Sequence, residues 1–332
     1  MIKFSFLKKR KLFKISCLLL FLFFILCLAL NPEKYTKSTY SGIVLWAVCV
    51  LPSLLPYFFL TAFLTKSGDL NSIFYKLTPI TKKLFRLNGI SSYAYFMSIL
   101  SGYPVGSKIV SDLFAQNLIT KSGATRLSIL ASTSGPLFII GAVGVSMFQS
   151  KTVGFIMYLT HILSSFLTAL IFRNYGDSER LNPSLLSSET CDNILYECVY
   201  SSVISALVVG GFVSIFYVLS EILLDFKLLY PLECVFKFLL MPLSSSNLEA
   251  KAVAAGIIEF TKGASMLCKI SITPLTISLT NFLITFGGVS VITQSLAFLK
   301  KAQVNAFVFI FAKLMSAVIC FVICYLCCLF FL

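Results

Sequence analysis

The chain has 332 residues, 58% of them hydrophobic and 12% charged, with a mean hydropathy of +0.93; a soluble domain carries about 25% charged residues. Several windows approach the ~20 apolar residues that cross a ~30 Å hydrocarbon layer, so the composition excludes a soluble globular protein and implies a polytopic helical membrane protein. The formal charge of +14 sits mostly in connecting loops and lacks any aromatic-basic motif, so membrane lipid rather than nucleic acid is the expected surrounding.

Lys3, Lys8, Lys9, Arg10, Lys11 and Lys14 precede an apolar run over residues 15–30. These positives place the N-terminus in the cytoplasm. No small-x-small cleavage pattern comes before Asn31-Pro32, so a retained signal anchor is expected over a cleaved signal peptide. A second span over 42–64 is interrupted by Pro52 and Pro56. Residues 65–88 carry Lys66, Lys76, Lys82, Lys83 and Arg86 against Asp69, which marks them as cytoplasmic. Leu70, Ile73, Phe74, Leu77, Ile80 and Leu84 repeat there at helical spacing, predicting a segment that lies along the membrane surface.

The stretch 90–119 contains Ser101-Gly-Tyr-Pro-Val-Gly-Ser-Lys108, which cannot continue a straight helix. Backbone groups freed by such a break are tolerated at bilayer depth only inside protein or against a wet cavity. Residues 127–148 follow, broken by Ser134-Gly-Pro136, and then 153–172. A polar linker leads to a second half with the same order of elements: 198–224, a surface candidate at 226–243, a hairpin candidate at 248–268, 272–299 broken at Gly287-Gly288, and 306–332. The division expected is 1–40 for the anchor and outer loop, 41–172 for one repeat, 173–198 for the linker and 199–332 for the second repeat.

Register supports the duplication. Gly135 and Gly287 stand 152 positions apart, as do His161 and Lys313, while Gly102 lies opposite Gly256 and Lys108 opposite Lys262 at a slightly different offset. If 90–119 is re-entrant from the cytoplasm, most Lys and Arg residues fall inside. Lys34, Lys37, Lys151, Lys227 and Lys269 are then left outside, with Lys237 at the outer surface. That reading also inverts the second repeat relative to the first, the arrangement of many secondary transporters. The expected fold is all-α, with about seven transmembrane helices plus two re-entrant hairpins in inverted repeats.

Candidate binding residues follow from these breaks. Ser101, Gly102, Tyr103, Pro104, Gly106 and Lys108 form the first hairpin tip. Lys108 and Asp112, spaced i and i+4, either face a cavity or anchor the helix near the interface. Glu259 and Lys262 in the second hairpin either bind a solute or coupling cation, or neutralise each other. Ser134, Gly135, Pro136, Gly287 and Gly288, with Ser290 and Gln294, either unwind their helices around a ligand or permit close packing. His161 is a packing residue or a site residue, and Lys313 snorkels or joins the same site. Eleven cysteines, most in apolar runs, read as small packing residues, and with one histidine no metal site is expected. No nucleophile elbow, Walker loop or carboxylate cluster is present, so no enzyme activity and no organic cofactor are expected. A coupling cation, Na+ or H+, stays compatible, and the oligomeric state is left open.

Leu51-Pro-Ser-Leu-Leu-Pro56, Ser101-Gly-Tyr-Pro-Val-Gly106, Ser134-Gly-Pro-Leu-Phe-Ile-Ile-Gly141 and Phe286-Gly-Gly-Val-Ser-Val-Ile292 resemble the signature segments of YlbJ-type sporulation integral membrane proteins. Those belong to the nucleoside-recognition, or Gate-domain, superfamily, and the likeness covers about residues 40–332. The resemblance implies a role in spore cortex formation and a distant kinship with concentrative nucleoside transporters. In those transporters two inverted repeats each carry a re-entrant hairpin, and hairpin tips and broken helices bind nucleoside and cation. By position, 134–136, Glu259 and Gln294 would be the counterparts here. The transporters' longer glutamine-threonine-glutamate and asparagine-glutamate-phenylalanine signatures are mostly absent, with Glu259-Phe260 echoing the latter. The expected function is secondary transport of a small polar solute during sporulation. The alternatives are a membrane scaffold or receptor for cortex-building enzymes, or a flippase for a lipid-linked precursor.

Overall fold

A computed structural model describes residues 18–67, 74, 76–177, 193–243 and 246–331. All regular structure among them is helical. The basic N-terminal cluster, most of the polar linker, and Leu70 and Ile73 of the surface segment lie outside the described residues.

Helix α1 (Leu18–Leu30) meets the helical stretch Pro32–Val50 at a bend of 106°. Asn31 and Pro32 form the corner, because proline at the first helical position starts a helix but cannot continue one. Helix α2 (Pro32–Leu45) runs through a π-helical turn, Trp46–Val50, into α3 (Leu51–Ser67). Pro52 and Pro56 therefore do not divide this span. The wider π turn contains Val48, four residues before Pro52, whose carbonyl a proline ring would otherwise crowd. Helix α4 (Thr78–Phe85) accounts for part of the expected surface segment and stops at Arg86 in the left-handed conformation.

Helices α5 (Ile90–Ser101) and α6 (Val105–Ala115) form a hairpin around the 102–104 break. The reversal is tight: a Cβ on Gly106 would stand 2.8 Å from the Ser98 Cβ. Helix α7 (Lys121–Leu130) is capped by the Thr120 hydroxyl, unwinds over 131–136, and resumes as a π-helix, Leu137–Met147. Helix α8 (Lys151–Ile171) follows, capped by Ser150. In the second half, α9 (Ile194–Asp225) is continuous through Gly210-Gly211. Gly210 does not bend it but admits the Trp46 ring, where a Cβ would lie 2.5 Å from Cε2. After α10 (Tyr230–Leu240), a second hairpin pairs α11 (Asn247–Ile258) with α12 (Phe260–Cys268), and Gly256 and Gly263 let its arms touch. Helices α13 (Pro274–Phe286) and α14 (Gly288–Leu299) join at left-handed Gly287, and α15 (Ala306–Phe331) ends the described chain.

Burial is inverted relative to a soluble protein. On α9 the buried positions include Cys198, Ser202, Ser205, Ala206, Gly210 and Ser214, while Leu195, Val199, Leu207 and Ile215 are exposed. On α15 Ala312, Ser316, Cys320, Cys324 and Cys328 are buried at a spacing of four, with Phe311, Leu314, Val318, Val322 and Leu326 outward. Between helices in lipid there is no hydrophobic drive, so small residues that allow close backbone approach occupy the seam and large apolar ones face acyl chains. The α15 cysteines are part of that seam against α13. Among the described residues four stretches, Lys151–Asn174, Ile194–Asp225, Pro274–Leu299 and Ala306–Phe331, are long and apolar enough to cross a membrane, and the bent N-terminal pair, counted as one span, raises this to five. The chain is an all-helical, multi-pass membrane protein.

Two apolar clusters hold the bundle. One centres on the first hairpin, with Phe58, Tyr93, Val110 and Leu127 against Val209 of α9. The other centres on the π-helix, α8, α13 and α15, with Ile139, Met157, Ile277 and Leu283. The four interruptions meet at their border.

Candidate functional site

The first hairpin tip is built around Gly102, which has φ 83° and ψ −171°. That region is open to glycine, and a Cβ there would also meet Gly135 N at 2.5 Å. The tip is thus seated on the unwound 131–136 segment. Gly106 performs the same service one turn on, since its Cβ would fall 1.8 Å from Ala131 O. The Tyr103–Pro104 peptide is cis. Ser98 and Thr133 share a hydroxyl hydrogen bond of 2.9 Å between hairpin and break.

The second hairpin repeats the plan with other residues. Glu259 has extended backbone, φ −135° and ψ 105°, and interrupts the helix as the cap of both arms. Its Oε1 accepts from Thr261 N at 3.2 Å and from Thr261 Oγ1 at 2.8 Å. Oε2 is fully buried with no hydrogen-bond partner among the described residues. The tip lies against Gly288, where a Cβ would meet Gly256 O at 2.9 Å. Gly287 and Gly288 have φ 84° and 65°, so the break between α13 and α14 depends on both. Gln294 Nε2 donates to Ser290 Oγ at 3.3 Å on the α14 side.

Cross-contacts tie each hairpin to the opposite broken helix. The Tyr103 hydroxyl donates to Ile284 O and Thr285 O, at 3.2 Å each. Phe260 packs edge-to-face on Phe138, centroids 5.4 Å apart. His161 Nε2 accepts from Ser134 N at 2.8 Å, which makes Nδ1 the protonated nitrogen, donating to Thr285 Oγ1 at 2.8 Å. Lys313 Nζ donates to Tyr103 OH at 2.7 Å and to Ser132 O at 3.2 Å. One helix from each half therefore reaches the unwound segment of the other.

These elements border a void of about 50 Å³, lined by Ser101, Gly102 and Tyr103, by Ser134, Gly135 and Phe138, by Phe260 and Thr261, and by Val291 and Gln294, with Val50, Leu54 and Tyr57 of the π turn and α3 and Val209 and Val213 of α9 completing a largely apolar wall. At roughly 10–15 Å³ per water it holds a few waters or a small ion. A larger void of about 350 Å³ lies on the other side of Gln294 and is lined by Pro104, Lys108, Asp112, Phe212, Phe298 and Lys301 among others. Gln294 borders both.

Of the residues expected at a site, Ser101, Gly102, Tyr103, Ser134, Gly135 and Gln294 line the inner void. Pro104, Lys108 and Asp112 line the outer one. Gly106, Pro136, Gly287, Gly288 and Ser290 shape the breaks, and Glu259, His161 and Lys313 lie buried around them. Lys262 departs from expectation: it does not neutralise Glu259 but forms an ion pair with Glu221 of α9, extended by Lys34 to Asp225 at 2.5 Å. An i, i+3 pair presupposes continuous helix, and Glu259 leaves the helix to cap it. Glu221 and Asp225 of α9 thus tie the second hairpin and α2 to α9. Thr285 and Thr261 were not singled out, although the offset of 152 that matches Gly135 to Gly287 also matches Thr133 to Thr285. Tyr103 entered as part of the tip, but its bridge to Lys313 has no signal in sequence.

No family model matches the chain, and no solved structure matches it. A match does come from the "Sporulation integral membrane protein YlbJ" of Bacillus subtilis (strain 168), 28% identical over 330 residues that span 92% of this chain and 81% of that protein. With the membrane architecture and the interrupted helices in place, this likeness supports assigning the chain to the YlbJ type.

Proposed function

We propose that this protein is a secondary transporter of a small polar solute in the membrane of a spore-forming cell. Its architecture in this reading is seven spans and two re-entrant hairpins in inverted repeats, with a cytoplasmic N-terminus. The observation that carries it is one void on which residues of both hairpins and both broken helices converge, closed off by α3 and α9. Unwound backbone at bilayer depth is costly and persists where it faces a cavity. A passive scaffold or receptor has no use for it. The printed name of the relative supplies the link to sporulation. The cross-contacts between halves support the inverted repeat, and the expected Gate-domain ancestry belongs to the same proposal.

In this conformation the inner void admits little more than water, so a solute passes when the hairpins part. The larger void, with Lys108, Asp112 and Lys301 on its wall, serves as a vestibule on the cytoplasmic side, and Gln294 divides the two chambers. Polar groups converging on the void are Ser101, Ser134, Thr261 and Gln294, with the Glu259 carboxyl beside Thr261. Such donors and acceptors select an uncharged or zwitterionic polar solute.

A thermal-shift screen of purified protein against nucleosides, amino acids and dicarboxylates, followed by uptake of each hit into proteoliposomes, tests the reading. A ligand that binds the folded state alone raises its melting temperature with concentration. The expected hit loses its shift in Gln294→Leu and its uptake in Glu259→Gln. Full spore-cortex complementation by both variants, with no uptake by the wild type, sinks the transport reading and favours a scaffold.

A further inference from the structure

Lys313 is the buried cation that transport of a polar solute leaves without a task. It is 4% exposed, about two turns into α15. An ammonium there is normally paired, yet among the described residues Lys313 forms no ion pair, while Glu221 and Asp225 are taken by Lys262 and Lys34. Its hydrogen-bond partners are neutral: the Tyr103 hydroxyl and the Ser132 carbonyl.

Backbone carbonyls and the Tyr103 ring, whose centroid lies 4.3 Å from Nζ, stabilise the charge. Ser132 O lies just beyond the C-terminal end of α7. Tyr103 OH accepts from Lys313 and donates to Ile284 O and Thr285 O, in the last turn of α13. The final carbonyls of a helix have no intrahelical donor and carry the negative end of its dipole. The ammonium is therefore held directly by a carbonyl of the unwound segment after α7 and, through Tyr103, by the C-terminal end of α13. In secondary transporters, ends of this kind coordinate a free coupling cation.

We propose that Lys313 is a tethered cation that fills a monovalent-cation site between the two broken helices. The wild-type protein then needs no bound sodium to hold the breaks together. Lys313 does not serve as the counter-charge of an anionic solute, because it is absent from the wall of the inner void, where Tyr103 stands in its place. The site is read by equilibrium binding, so it stands or falls apart from transport.

The test measures thermal unfolding of the purified protein in sodium, lithium, potassium and N-methyl-D-glucamine chloride at equal ionic strength. The wild type and Lys313→Arg are expected to melt at the same temperature in all four. Lys313→Ala, which vacates the site while leaving the carbonyls, is expected to melt lower in N-methyl-D-glucamine. It then recovers by on the order of 5 °C as one of the alkali cations saturates it. Lys313→Ser provides a second vacated site with a hydroxyl ligand. Sodium stabilisation of the wild type equal to that of the variants overturns the proposal. So does indifference of both small variants to every alkali cation, or their failure to fold in any of these salts, since a vacated cation site should be refilled by a cation.

Discussion

The hydroxyls of Ser164 and Ser316 lie 3.4 Å apart, and the two residues are separated by 152 positions. That is the same interval that relates Gly135 to Gly287 and His161 to Lys313. The repeat proposed above predicts such a contact, because beside a two-fold axis equivalent positions meet. Three residues away on the same two helices, His161 reaches Thr285 and Lys313 reaches Ser132, each crossing to the other half.

At the α8–α15 seam the small side chains should be interchangeable but not enlargeable. Ser164→Ala and Ser316→Ala are expected to be nearly neutral. Ser164→Leu or Ser316→Leu should each cost ~1–3 kcal/mol through overpacking. The double leucine variant should cost less than the sum, since both side chains intrude on one gap and neighbours do not add. Chemical unfolding in detergent measures this, and strict additivity would show that the two residues do not share the gap.

Gly102→Ala should be much worse than its size suggests. Its backbone, φ 83° and ψ −171°, lies in a region essentially reserved for glycine that costs an alanine about 1–3 kcal/mol, and the added methyl meets the Gly135 amide at 2.5 Å. Gly211→Ala is the control, with open space around it on α9, and helix propensity favours alanine there by ~0.5–1 kcal/mol. Melting temperatures moving in opposite directions for the two are expected; a tolerated Gly102→Ala contradicts the seating of the hairpin tip on the break.

Glu259 has a structural task and a proposed functional one, and two substitutions separate them. Glu259→Gln keeps a side-chain oxygen for the Thr261 amide and hydroxyl, so stability should change little. Glu259→Ala removes the cap at a cost of ~0.5–2 kcal/mol. Uptake should be lost in both. If activity tracks stability across the pair, the carboxylate charge has no role of its own.

The Lys262–Glu221 pair should respond asymmetrically. Lys262→Met leaves Glu221 partly exposed and beside Lys34 at 3.9 Å, so its charge stays compensated. Glu221→Gln instead strands a buried ammonium, with an expected loss of ~1–3 kcal/mol, discounted because Glu221 is about a quarter exposed. Equal costs from a double-mutant cycle would mean that solvent, not Glu221, compensates Lys262.

Much of the architecture could be read from the chain alone because the bilayer restricts the choices so severely. Apolar length demanded helices, and residues that cannot sustain a helix in lipid, Ser101–Lys108, 134–136 and Gly287-Gly288, announced the interruptions before any packing was known. Proline and glycine alone were less reliable. Pro52 and Pro56 sit in a span that a π turn keeps continuous, and on α9 Gly210 makes room for Trp46 while the helix runs on unbroken. Local chemistry was the same in all these cases; what differed was the neighbour.

Composition and spacing therefore determined that this is a helical membrane protein with paired interruptions at matched intervals, since those properties depend on backbone hydrogen bonding and hydrocarbon thickness. Only the tertiary structure decided which charged groups meet. Glu259 turns away from Lys262 because a capping residue leaves the helical register, and Lys262 is claimed by Glu221, 41 positions earlier. Lys313 finds Tyr103, 210 positions distant, because two broken helices end at one point. Contacts of that range depend on how helices cross, and crossing is settled by side-chain volume at seams such as Ser164–Ser316, which no linear pattern contains.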